Sequence, residues 1–329
     1  MIRLGQIRDC PVTLEDVNNA EMIFGKDMAT IKGKTTRQKP PPVTASVHAV
    51  PDELVAHNKI LQAAMDVFFI CGLKFLAFLD LSVRHRATTY IKNKSASTFY
   101  KALDGIMDTY NSNGFRIGTI HCDQEFKSLM DPVKNDMELK LEHPAAQAHA
   151  NHAERNVRHL EERIRCAWHA TPFLIMPIIM IVELVKDVTN KLNLFPAKQG
   201  ISQVYSPRQI LTGRTTDYRS VEHTFGSFCI AHDQPKPSNT NEPRGLECIY
   251  LRPILENNTG GHVLLDLHTW EVITRQTFTV LPMTAEVIRR VQAKAKEDGM
   301  KPLKFHNRKS LLLLNGKKDC LNQNQPTMN

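Results

Sequence analysis

No two of the seven cysteines are spaced as a Cys-x-x-Cys pair. Cys10, Cys71, Cys122, Cys166, Cys229, Cys248 and Cys320 are odd in number and widely scattered, which indicates neither a disulfide framework nor a zinc ribbon and points to a reducing compartment. Long hydrophobic runs are lacking too. The longest, Phe173 to Val182, is too short to cross a bilayer and carries Pro177. The opening "MIRLGQIRDCPVT" has no apolar core of the signal-peptide kind, so a soluble, non-secreted chain with no membrane partner is expected. Ser206 is not set in a Gly-x-Ser-x-Gly elbow, which leaves Ser206-Pro207-Arg208 as a turn and helix cap rather than a nucleophile. His143, His149 and His152 match no tight zinc-ligand spacing with Cys122, and a loop carrying several histidines explains them better. No internal repeat is visible.

What the chain does have is positive charge. With 329 residues, 42% of them hydrophobic, it has room for two domains and at least one sizeable core, and a formal charge of +8 favours a polyanionic partner, nucleic acid first. Residues 1–58 read as a short helix, "TLEDVNNAEMIFG", capped by Thr13 with Asp16 three positions on, followed by the basic, proline-rich tether "KGKTTRQKPPPV". Lys32, Lys34 and Arg37 of that tether are candidate phosphate contacts.

The pattern changes at residue 59. "AAMDVFFI", "LKFLAFLDLS" and "ATTYI" are apolar, aromatic or β-branched runs with turn-length gaps, the signature of a β-meander. Next comes a helix capped at Ser97, with Phe99, Leu103, Ile106, Met107 and Tyr110 as its buried stripe. "FRIGTI" reads as a strand, "EFKSLM" as a helical turn and "MELKLE" as a further strand. Long helices over about 146–169 and 177–192, the second started by Pro177, complete a βββαβαβαα unit over 59–195, an α/β arrangement with a mixed sheet. A connector over 196–222 leads to four short strand segments in 223–283, read as a small β-barrel of SH3-like kind. Residues 284–329 form a helix and a basic tail expected to be disordered, in which the run Leu311 to Leu314 is out of character.

Within this frame the acidic residues are unevenly placed. Asp66 interrupts an apolar strand, Asp123 follows the strand after the first long helix, and Glu154 lies in the long helix "NHAERNVRHLEERIR". If the first strand is central and the strand after the crossover helix pairs beside it, Asp66 and Asp123 approach each other, and a helix across that edge adds Glu154. Gathered carboxylates repel unless a divalent cation lies among them, and an all-oxygen donor set favours Mg²⁺ or Mn²⁺. Two such ions serve phosphodiester chemistry. The competing readings are ordinary ones: a strand acid paired with Lys or Arg, a turn acid at Asp123, and i,i+4 pairs Glu154–Arg158 and Glu161–Arg165 on a wet helix face. Asp80 is the rival first ligand, although it more naturally ends its strand. Glu125 is the local alternative to Asp123 and is expected to point to the other side. Arg155, Arg158 and Arg165 are candidate DNA contacts on the same helix.

Five blocks, "MDVFFICGLKFLAFLDLSVR", "GFRIGTIHCDQEF", "AERNVRHLEERIR", "LFPAKQGISQVYSPRQILTG" and "FGSFCIAHD", together resemble the integrase region of copia-type LTR-retrotransposon polyproteins. The resemblance extends over roughly Thr13 to Gly299. It implies an RNase H-like core and places the catalytic, metal-binding triad on Asp66, Asp123 and Glu154. It further implies two Mg²⁺ or Mn²⁺ ions, 3′-end processing and strand transfer on DNA, work as a homo-oligomer, and action in the nucleus, with the cytoplasm as the setting of a non-functional chain. The family's preceding His/Cys zinc module has no counterpart here, since Cys10 has no partner nearby, so a catalytically inactive nucleic-acid-binding remnant is the alternative. A nuclease of RNase H type is a further one.

Overall fold

In a computed structural model of the protein, the structure describes residues 11–34, 50–56, 59–143, 150–218, 221–232, 244–255, 260–301, 305–306 and 312–314. Three N-terminal helices, α1 (Leu14–Phe24), α2 (Met28–Lys34) and α3 (Asp52–Ala56), precede the first sheet. Thr13 caps α1 by accepting from the Asp16 N–H (3.1 Å), while the Asp16 carboxylate accepts from the Thr13 N–H (2.7 Å), both halves of the capping box.

The first sheet is mixed and five-stranded. Its strands are β1 (Ile60–Ile70), β2 (Leu73–Asp80), β3 (Arg86–Ile91), β4 (Arg116–Cys122) and β5 (Lys140–Glu142), in the order β3-β2-β1-β4-β5. β1 to β3 form an antiparallel meander, and β4 and β5 run parallel to β1, so β1 is central and β4 lies beside it as expected. Between β3 and β4 runs α4 (Ala96–Asn111). All five expected stripe residues of α4 are buried, but its cap is Ser95, not Ser97: the Ser95 hydroxyl accepts from the Thr98 N–H (3.3 Å). After β4 a 3-10 turn (Gln124–Leu129) leads into a helix the sequence did not announce, α5 (Met130–Met137), so only the end of "MELKLE" is strand. α6 (Ala150–His169) and α7 (Ile178–Leu192) follow, with Pro177 at the N-cap of α7, and α8 (Pro207–Thr212) is capped by Ser206.

The second sheet is antiparallel. It comprises β6 (Phe228–His232), β7 (Gly245–Pro253), β8 (His262–Asp266), β9 (Val272–Arg275) and β10 (Phe278–Val280), in the order β10-β6-β7-β8-β9. Five strands stand where four segments were expected, because "EVITRQTFTVL" breaks at Gln276-Thr277 into β9 and β10. α9 (Ala285–Glu297), capped by Thr284, packs against this sheet. In the tail, Leu312–Leu314 (β12) pairs with Phe305–His306 (β11), which corrects the expectation of disorder for those residues and gives the leucine run a place.

The core explains how the layers are held. One face of the first sheet, with Met65, Leu76 and Phe78, packs on Phe99, Leu103 and Tyr110 of α4. The other face, with Phe68 and Phe75, meets α6 and α7, and the same apolar cluster continues into Ile230, Ile249 and Leu265 of the second sheet. α7 is therefore covered on both sides, and its buried positions include the polar Glu183, Asp187 and Thr189 as well as Met180, Ile181, Leu184 and Val185.

Candidate active site

Strand alternation decides which way Asp66 faces. Met65 belongs to the α4 side and Phe68 to the α6 side, so Asp66, two residues from Phe68, shares the α6 face. Met65 of β1 lies opposite Cys122 of the parallel strand β4. One step further along both strands stand Asp66 and Asp123. α6 packs across β1 and β2 on this face and carries Glu154 near its N-terminal end.

The electrostatics of Asp66 report the gathering directly. Burial pushes its carboxyl up to about 6, a hydrogen bond from the Val67 N–H (2.7 Å) pulls the other way, and the charges of Asp123, Glu125 and Glu154 each push it further up. Desolvation is thus the first cause and carboxylate crowding the second. Among the described residues, no group of three or more His, Cys, Asp or Glu side chains is placed so that it could hold a metal ion. The donor chemistry nevertheless fits a hard divalent cation: the side chains acting on Asp66 are carboxylates, and each raises the cost of its negative charge.

Glu125 lies in the 3-10 turn, not on a continuing strand, and it ion-pairs with Lys94 at 2.5 Å while its charge still reaches Asp66. Lys94 in turn sits 5.4 Å over the ring of Phe69, which by strand alternation is out of step with Asp66. Glu154 forms no ion pair with Arg158, nor Glu161 with Arg165, among the described residues, so its carboxylate is not taken up along its own helix.

Asp80 ends β2 as its sequence position suggested. One carboxylate oxygen accepts from the N–H groups of Ser82 (2.8 Å) and Val83 (3.3 Å), and the other is buried with no partner. Burial pushes this carboxyl up to about 6 as well, against those two hydrogen bonds and the Arg84 charge. Asp80 faces Ala63, three residues before Asp66 on β1, so it is a turn acid at a distance from Asp123. Cys122 is a buried thiol pushed up to about 12 by burial and by Asp123 and Glu125, which is unlike a thiolate ligand. His143 Nδ1 lies 3.0 Å from the Cys122 carbonyl, and His149 falls outside the described residues.

The other candidate cations divide. Lys32 is not on a free tether: it lies in α2, whose Met28 and Ile31 pack on the core, and its ammonium binds Glu247 (2.8 Å), which also accepts from Arg290 (2.7 Å). The tether reading fails there because Met28 and Ile31 supply an apolar anchor just before the basic run. Lys34 ends the same helix, and Arg37 lies outside the described residues. Arg155, Arg158 and Arg165 are exposed along α6.

Neither a family model nor a curated protein matches the chain. Among solved structures it is similar to the crystal structure of the catalytic core domain of BIV integrase, at 12% identity over 47% of this chain and 93% of that one, with a TM-score of 0.33. So distant a superposition assigns no role to any residue.

Proposed function

We propose that the chain is an integrase-like polynucleotidyl transferase of the copia type, with an RNase H-like core and the second sheet as a small SH3-like barrel. The single observation that supports this reading most is Asp66: a carboxyl at the centre of a mixed sheet, kept near 6 by burial and by three further carboxylates. Asp66, Asp123 and Glu154 are the residues that would hold divalent cations, with Glu125 beside them. A pair of Mg²⁺ or Mn²⁺ ions would supply activation of a water or 3′-hydroxyl and charge stabilisation at a phosphodiester. The chain itself contributes placement. Asp66 on β1 and Asp123 just past the end of the parallel strand β4 would supply two of the acids and Glu154 of α6 the third, and the exposed arginines of α6 would offer contacts to the DNA backbone. The chain's formal charge of +8 supports a DNA partner.

Strand transfer from a recessed 3′ end into a plasmid, with Mg²⁺ or Mn²⁺, tests the reading. Asp66→Asn and Asp123→Asn should each abolish joining, a loss of at least a hundredfold, while leaving the thermal transition in place. Joining by either variant at the wild-type rate removes that residue from the site. A wild-type chain that binds DNA but never joins or cuts it would favour the inactive remnant, and cleavage confined to RNA in hybrids would favour the nuclease.

A further inference from the structure

Along the flank of α6 that meets β3 and the end of α7 lies a second concave site. A cavity of about 1060 Å³ opens between α6, the end of α7, the loop 193–199 and the start of β3. Arg84, Arg86, Arg155, Arg163, Lys191 and Lys198 line it, together with His152 and His159, and its lining contains no Asp or Glu. Lys191 is partly offset by Asp187 at 2.7 Å just behind it. Arg86 is half-buried, and its hydrogen bonds end on neutral groups, the Asn156 side-chain oxygen (3.0 Å) and the Arg84 carbonyl (3.4 Å). The frame is built. Asn193 both accepts from the Arg86 N–H and donates to the Arg86 carbonyl (2.8 Å each), and the Arg84 guanidinium holds the backbone and side chain of Gln199 (3.2 and 3.0 Å).

Concentrated positive charge in a concave, largely apolar site selects a small anion with several charges, and planar guanidinium groups favour phosphate. The apolar part narrows the choice. Phe195 stands on the cavity wall with 69% of its surface exposed, beside Leu192 and Pro196. An exposed aromatic ring next to phosphate-binding arginines is the arrangement that takes a stacked base.

We propose that this cavity binds a nucleoside phosphate, with the base against Phe195 and the phosphates on Arg86, Arg155 and Arg163. The same chemistry is offered by a free nucleoside triphosphate and by the 5′-phosphorylated end of a single strand. The site is separate from the carboxylates around Asp66 and does not depend on their role.

Calorimetry on the full chain in EDTA-containing buffer decides it, with ATP, adenosine, inorganic tripolyphosphate and a short 5′-phosphorylated oligothymidylate as probes. ATP or the oligonucleotide should bind saturably with one site per chain, adenosine not at all and tripolyphosphate more weakly; the tighter of the first two names the source. The exposed double variant Arg155→Ala/Arg163→Ala should weaken binding at least tenfold, and Phe195→Ala roughly tenfold through lost stacking. Asp66→Asn should leave it unchanged. No saturable binding by either nucleotide probe overturns the proposal, as does binding that neither variant alters. Tripolyphosphate binding as tight as ATP, with Phe195→Ala neutral, would reduce the cavity to an anion hole and overturn the nucleoside assignment. Circular dichroism of the variants confirms that they remain folded.

Discussion

Two acids carry the tension of this molecule, and they carry it differently. Asp66 and Asp80 both have carboxyls pushed from an ordinary 3.8 up to about 6, mainly by burial, but only Asp66 owes part of that to other carboxylates. A carboxyl raised in the folded state holds its proton more tightly there than in the unfolded chain. The stability tied to that proton is therefore complete below about pH 4 and is lost as the pH climbs through 6. For the buried Asp80 the loss approaches about 3 kcal/mol. Asp80→Asn removes the titration, so urea denaturation of this variant against wild type from pH 4 to 7.5 should show the variant gaining relative stability as the pH rises. A pH-independent difference would mean that Asp80 is ionised or solvated at every pH tested. Asp66 and Asp123 stand out in the sequence because an acid inside or just after an apolar run is costly without a reason, and the structure sets them one step past the paired residues Met65 and Cys122 of neighbouring strands. Strand alternation says nothing of where Glu125 points: an extended chain would put it on the face of Asp123, two residues before it, but at Gln124 the chain coils into a 3-10 turn.

At the level of elements, α6 and α7 do most of the organising. α6 turns its apolar stripe to the first sheet and an arginine-rich side to the cavity, and the charge of its exposed N-terminal Glu154 reaches Asp66. Its existence was readable from period and length. The cavity was not, since Arg86 and Phe195 lie far from α6 in sequence and only tertiary packing brings them to it. α5 was missed because "MDPVKNDM" carries a proline and is only eight residues long, so its apolar positions Met130, Val133 and Met137 span barely two turns. The joint between α7 and the second sheet rests on Glu183, which is buried and accepts from Arg252 Nε of β7 (2.6 Å) while pairing with Lys186 (2.7 Å). Arg252→Ala strands a buried carboxylate with only its lysine partner. The expected cost is about 3 kcal/mol, the lower end for breaking a buried pair, measurable as a shift in urea midpoint. A cost under about 0.5 kcal/mol, the size of an exposed pair, would contradict the burial.

The whole molecule is more tightly joined than its sequence suggested. The Pro-, Gly- and Ser-rich stretch after α7 looks like a connector between independent parts, yet one apolar cluster runs from Phe68 and Phe75 through α6 and α7 into Ile249 and Leu265. Connector composition reports local backbone, not what packs over it. The chain has only two tryptophans, Trp168 in α6 and Trp270 beside the second sheet, so single-tryptophan variants report the two regions separately. Trp270→Phe and Trp168→Phe should give coincident unfolding midpoints by fluorescence, once the small stability change of each is accounted for by circular dichroism. Two separated transitions within one variant would show that the regions unfold on their own.

The central claim is that Asp66, Asp123 and Glu154 share a divalent-cation site, and calorimetric titration of Mn²⁺ at pH 7.5 tests it most directly. Wild type should bind the ion saturably, while the triple variant Asp66→Asn/Asp123→Asn/Glu154→Gln should bind none at the same concentrations. Equal binding by wild type and triple variant, or no binding by either, would contradict it.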